Sequence, residues 1–169
     1  MLIVDGLPVH FRAGHKIQQS YEYIGGRTVQ RLYNGDAVIQ EGWKKLKTRI
    51  TGNGWLPNAL MTVPTDQAVE LHCVVPLAEW LGDITGEIPA PEKGRNDGAY
   101  KPYFFALVNG DYVDCPVVDE GSGPVIRAID GATDYLMCWF PVLQVVATVR
   151  TDTDLEGNVI SWTLEGEEV

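Results

Sequence analysis

TVQRLYNGDAVIQ, residues 28–40, is the stretch that decides the fold class. In an extended chain Thr28, Gln30 and Leu32 point to one side and Val29, Arg31 and Tyr33 to the other. Asn34-Gly35 then predicts a type I′ turn, because both central residues of that turn need positive φ and glycine adopts it without a side-chain clash. Ala37-Val38-Ile39-Gln40 returns. Alternation with a period of two on either side of Asn-Gly is a β-hairpin.

The same pattern recurs outward from this hairpin. Trp43 to Ile50 reads as a further strand, with Trp43, Lys45, Lys47 and Arg49 facing away from Lys44, Leu46, Thr48 and Ile50. The second set carries most of the apolar character, so this strand is expected to bury one side. The chain opens on Leu2-Ile3-Val4, Asp5-Gly6 and Leu7-Pro8-Val9-His10-Phe11, a tight hairpin whose proline suggests an edge position for the return strand. Val69 to Val75 reads as a strand. Tyr103 to Val118 makes a second Asn-Gly hairpin at Asn109-Gly110. Tyr135 to Arg150 is a long apolar run split by Pro141, expected as two strands or one bulged strand. Val159 to Leu164 alternates as a half-exposed strand, and Glu165-Gly166-Glu167-Glu168 follows as an acidic tail.

Three stretches break the β pattern. Residues 76–82 (PLAEWLG) form the best short helix candidate, with proline at the start and glycine at the end. Ala59 to Met61 fits one helical turn or a loop. Residues 83–100 are the most loop-like part of the chain, with Pro89, Pro91, Gly94 and Gly98 among charges. These readings predict one β-rich domain over residues 1–169, of about nine to eleven short strands. Its expected architecture is a barrel or sandwich of antiparallel hairpins with one or two short helices. The 18 glycines and 10 prolines are spread along the chain, as frequent turns require.

A net charge of −10 argues against nucleic acid as the main partner, because a phosphate binder needs clustered Lys and Arg. The charge is unevenly distributed. Residues 1–50 carry eight basic side chains (Arg12, Lys16, Arg27, Arg31, Lys44, Lys45, Lys47 and Arg49) against four acidic ones (Asp5, Glu22, Asp36 and Glu41). That is a net of about +4, leaving about −14 on the remainder. Either two faces are solvated differently, or a positive edge on one copy meets a negative edge on the next. Cys73, Cys115 and Cys138 form no CxxC and sit in apolar runs, so buried free thiols are expected. Asp5-Gly6 interrupts the apolar start before a secretory leader can form, and no run approaches the ~18 apolar residues of a membrane helix.

No catalytic or metal-binding signature stands out. His72-Cys73 are neighbours, which on a strand face opposite ways and cannot readily grip one metal. The sequence contains no GxSxG, GxGxxG, P-loop or HExxH. Acidic pairs such as Asp111 with Asp114, or Asp119 with Glu120, fit turn positions. The expectation is a protein without enzymatic activity, metal or cofactor. Trp43, Trp55, Trp80, Trp139 and Trp162, with seven tyrosines, fill a core and subunit contacts or line a carbohydrate-binding face.

The run YEYIGGRTVQRLYNGDAVIQEGWKKLKTRITGNGWLPNAL (residues 21–60), followed by LHCVVPL (residues 71–77), resembles small tail proteins of long-tailed bacteriophages. The cues are the strand–NG–strand unit, Trp43-Lys44-Lys45-Leu46, and the TRITGNGWLP turn from Thr48 to Pro57. The resemblance covers about one third of the chain. It implies a ring-forming distal tail or baseplate protein, made in the host cytoplasm and carried in the virion tail. Its implied partners are copies of itself and the tube, hub or fibre proteins, with neither nucleic acid nor membrane. A small carbohydrate-binding module is the alternative. The interface candidates are Lys44, Lys45, Lys47 and Arg49 as a basic stripe, with Arg95 and Tyr100 in the 83–100 loop.

Overall fold

A computed structural model describes residues 1–10, 12–55, 59–82, 91, 93–119, 124–154 and 159–169. The fold is mainly β with antiparallel pairing, and the chain divides into two compact units, Met1–Leu71 with Gln144–Val169, and His72–Leu143. The helical structure among the described residues is a single 3₁₀ turn at Ala59–Thr62.

The first unit is built on a seven-stranded sheet. Its strands are β1 (Ile3–Val4), β2 (Leu7–Pro8), β3 (Lys16–Arg31), β4 (Ala37–Gly54), β5 (Val69–His72), β12 (Val142–Asp154) and β13 (Val159–Glu168), in the order β2-β1-β5-β12-β13-β4-β3. One face is apolar. Thr48, Gly166 and Ala147 lie in one buried row, and Ile50 and Leu164 are buried in the next. The buried Thr48 hydroxyl is satisfied within the sheet: it accepts from Gln19 Nε2 at 3.0 Å and donates to the Ser20 carbonyl at 3.0 Å. Trp162 lies opposite Gly52, and its indole N–H donates to the Ala13 carbonyl at 2.7 Å. The other face is polar, with Glu22, Lys47 and Glu167 in one row and Ser20, Arg49, Glu165 and Thr148 in the next. This alternation places Leu46, Thr48 and Ile50 inside, as the sequence pattern indicates.

The second unit holds a four-stranded sheet. Its strands are β6 (Leu77–Gly82), β7 (Tyr103–Val108), β8 (Asp111–Cys115) and β11 (Ala132–Trp139), in the order β6-β11-β7-β8. A two-stranded ribbon, β9 (Val117–Asp119) and β10 (Pro124–Ile126), accompanies it. Phe104, Ala106, Cys115, Ile126, Tyr135 and Met137 form its core. Among the described residues neither sheet closes into a barrel: β2 and β3 are edges of one, β6 and β8 of the other.

Three expectations are corrected. Residues 76–82 do not form a helix; Leu77–Gly82 is a strand paired along β11 from Trp139 to Tyr135. Six residues are too few to sustain a helix without strong packing, and sheet pairing satisfies their backbone instead. Trp43–Ile50 is not a separate strand but part of the 18-residue β4. The Asn34-Gly35 turn is not type I′, since Gly35 has φ 88° while Asn34 has no positive φ. Arg31 and Ala37 are the last strand pair and Leu32 N–H donates to Asp36 O at 2.8 Å, so the loop is a longer one in which glycine alone is left-handed. Asp5-Gly6 (φ 49° and 73°) and Asn109-Gly110 (φ 53° and 89°) do meet the type I′ requirement. All three cysteines are free and buried.

Candidate assembly surface

The β3–β4 hairpin outruns the sheet that holds it. β13 covers β4 only from Gly54 to Lys47. Beyond that point, among the described residues, Ala37–Leu46 pairs with β3 alone. The end of β13 is tied down where the third strand stops: Leu46 N–H donates to Glu168 Oε2 at 3.0 Å, and Lys45 Nζ donates to the Val169 carbonyl at 2.7 Å. The free ribbon is ten residues of β4 long, which at ~3.4 Å per residue is about 30 Å. Its apolar side chains are exposed: Val29 51%, Ile39 55%, Leu32 53%, Tyr23 62% and Trp43 55%. Among the described residues β3 also lies at the sheet edge.

A bulge sets which side of the ribbon is apolar. Gly25 lies opposite Lys44 and Arg27 opposite Glu41, so two steps along β3 match three along β4. The extra residue falls at Gly42-Trp43 and shifts the phase of β4 by one. Directly opposed residues share a face, and β3 alternates without interruption here. Tyr23, Gly25, Val29 and Arg31 therefore lie on one side with their partners Leu46, Lys44, Ile39 and Ala37. The side that buries Leu46 thus continues, in phase, to the exposed Val29–Ile39 pair. Gly25 makes the bulge possible: a Cβ there would collide with the carbonyl oxygen of Trp43.

The basic stripe has separate roles at each residue. Lys47 pairs with Glu167 at 2.8 Å, and Arg49 with Glu165 at 3.7 Å. The hydrogen bond to Glu167, and then its charge, hold the Lys47 ammonium above its ordinary pKa. Both cations belong to a cross-strand charge ladder on the polar face. Lys44 is exposed, with its Nζ 3.9 Å from the centre of the Tyr23 ring. Lys45 faces the other way and reaches Val169.

Arg95, expected at an interface, is instead buried in the second unit at 2% exposure. Its guanidinium grips the Asp97 carboxylate with two hydrogen bonds, Nε to Oδ1 at 2.8 Å and Nη2 to Oδ2 at 2.6 Å. Nη1 donates to the Cys73 carbonyl at 2.8 Å, and Cζ lies 3.7 Å from the centre of the Tyr100 ring. Tyr100 packs edge-on against Phe140 at 5.1 Å. The arginine hydrogen bonds hold Asp97 below the ordinary carboxylate range. This cluster pins the described part of the 83–100 loop; residues 83–90 and 92 lie outside the described residues. Sequence reasoning singled out Arg95 by its charge and missed Asp97, whose spacing two residues away is the signal for an internal clamp.

A second surface lies in that unit, formed by some of the aromatic residues that the sequence offers for a core or a carbohydrate-binding face. Trp80 and Tyr112 stack at 6.2 Å with 29° between their planes, and both are more than half exposed. Phe105 meets Tyr112 at 6.2 Å and Tyr103 at 5.6 Å, extending an aromatic row across the four-stranded sheet. Of the other tryptophans, Trp162 is buried, Trp139 is half-buried, and Trp43 and Trp55 are exposed in the first unit.

Among the described residues no group of three or more His, Cys, Asp or Glu is placed to hold a metal ion, and no helix is long and apolar enough to cross a membrane. Comparison of the chain with family models, curated proteins and solved structures finds no match.

Proposed function

We propose that this protein is a structural assembly subunit, of the ring-forming kind that joins tube to hub or fibres in a bacteriophage tail. The observation that carries the reading is the free ribbon. A two-stranded hairpin is at best marginally stable alone in water. This one exposes apolar residues on its flanks and, among the described residues, a strand edge from Glu22 to Arg31 that no further strand covers, a combination that folded proteins normally blunt because it invites pairing with another chain. Such an element gains its stability from a neighbour. Light scattering on the purified chain at low and high salt tests this. A discrete oligomer that weakens as salt rises is expected, because exposed charge pairs are screened beyond ~10 Å. A monomer at every concentration and salt would remove the proposal.

The aromatic row supports a second reading, a saccharide-binding face on the second unit. Exposed Trp and Tyr rings offer flat apolar surface for the C–H faces of a sugar. Quenching or shift of tryptophan fluorescence by a panel of bacterial surface glycans, abolished by Trp80→Ala, is the expected result. No response across the panel would set this reading aside.

A further inference from the structure

We infer that the ribbon's partner is a second copy of this chain, contacted head to tail on its acidic surface. The inference rests on the assembly reading above and specifies its contact. The free ribbon, residues 23–46, carries Arg27, Arg31, Lys44 and Lys45 against Asp36 and Glu41. Of the chain's 13 basic and 23 acidic residues, nine basic and 21 acidic therefore lie outside it. Two hairpins laid against one another bring positive charge to positive charge, which like-charge juxtaposition disfavours. A hairpin laid on the rest of a second copy brings positive to negative. The donor and acceptor surfaces thus differ. A heterologous contact of this kind closes into a ring when its rotation permits, and otherwise runs on as a filament.

The extent of the surface agrees. A ribbon about 30 Å long and about 10 Å wide, with two faces and the open edge of β3, presents on the order of 800 Å², the share each partner contributes to a standard interface. The Val29–Ile39 pair lies two pairs in from the Arg31–Ala37 end of the ribbon's ladder, on the side that continues the buried face. It is placed as the apolar centre of that contact, with Arg31 and Lys44 exposed on the same side.

The test uses the full chain carrying Val29→Asp and Ile39→Asp. This variant spoils the ribbon and leaves the acceptor surface intact. By light scattering at low salt the wild type should be an oligomer. The variant should be a monomer with an unchanged far-ultraviolet circular dichroism spectrum. Mixed at high salt and dialysed to low salt, the two should form complexes smaller than the wild-type oligomer, because the variant accepts a neighbour's ribbon and offers none. A variant that assembles like wild type would overturn the ribbon contact and leave the assembly reading standing. A mixture in which the wild type keeps its mass and the variant stays apart would overturn the head-to-tail arrangement. A wild type that never assembles would overturn both. If the aspartate variant misfolds, Arg31→Glu with Lys44→Glu alters only exposed positions. It should lower the fraction assembled at least tenfold, and an unchanged mass would again overturn the inference.

Discussion

Gly52→Ala probes the seven-stranded sheet at its tightest point. A methyl group at residue 52 would stand 2.5 Å from Cε2 of Trp162 and closer still to Cζ2. Carbon atoms pack best at ~3.5–4.0 Å, so the indole would have to retreat by about 1 Å or more. It is not free to do so. Trp162 is 2% exposed, and its N–H is committed to the Ala13 carbonyl at 2.7 Å. Retreat either stretches that bond or drives the ring into its neighbours. Overpacking a filled site costs about 1–3 kcal/mol, and weakening a buried hydrogen bond adds about 1 kcal/mol. We expect Gly52→Ala to cost ~2–4 kcal/mol, a fall in Tm of roughly 5–15 °C for a chain of this size.

The companion variant makes the reasoning refutable. Trp162→Phe removes Cζ2 and the N–H together. Alone it leaves the Ala13 carbonyl without its donor, at a cost of about 1–3 kcal/mol, plus the loss of buried ring. In combination with Gly52→Ala it leaves room for the new methyl group, so the double variant should be more stable than the sum of the two penalties by ~1–2 kcal/mol. Urea denaturation followed by far-ultraviolet circular dichroism measures all four proteins. A Gly52→Ala protein within about 0.5 kcal/mol of wild type, or penalties that simply add, would refute the account.

Other outcomes follow from single features. Gly25→Ala places a methyl group on the Trp43 carbonyl oxygen and should dislodge the bulge, abolishing association in light scattering while the sheet's melting temperature barely moves. Asp97 is held below its ordinary value of 3.8 by Arg95. Its stabilising contribution is therefore complete above that value and is lost as pH falls through the lower, folded value. Asp97→Asn should lower the Tm at neutral pH, and the gap from wild type should close as the solution is acidified below 3.8; a gap independent of pH would contradict the clamp. Burial pushes the Cys115 and Cys138 thiols up, so a disulfide reagent at neutral pH should modify the native protein slowly and react with three thiols once urea is added.

The parts of the fold legible in the sequence are those governed by local chemistry. Asp5-Gly6 and Asn109-Gly110 form tight turns because left-handed backbone is required at both positions, and those residue types supply it. The break at Pro141 separates β11 from β12 because proline has no N–H for the ladder. What was not legible depends on distant partners. Leu77–Gly82 has helix-like flanks and becomes a strand because β11, more than fifty residues further on, supplies its hydrogen bonds. Arg95 carries the charge of a surface residue, and its burial is matched by the carbonyls of His72 and Cys73, the carboxylate of Asp97 and the ring of Tyr100.

The candidate assembly surface was half legible, for a reason that lies in β4. Composition placed the positive charge in the first fifty residues, and that charge does sit largely on the β3–β4 hairpin. Periodicity could not tell which apolar residues share a side, because the Gly42-Trp43 bulge shifts the alternation between Leu46 and Ile39. Counting by twes from Leu46 reaches Lys44, Gly42, Gln40 and Val38, and predicts a mostly polar flank. With one residue added, the same flank reaches Ile39 instead, directly across from Val29. Matching that residue on β3 should therefore act unlike an ordinary insertion in an exposed strand. One glycine inserted between Gly25 and Gly26 would restore a continuous ladder, turn Val29 and Ile39 together to the opposite side from Leu46, and leave the turn and the hairpin's charge unchanged. If the side that continues the buried face is what a neighbour grips, the insertion should abolish the oligomer while the monomer stays folded. If charge alone drives association, it should leave the oligomer and its salt dependence as they were.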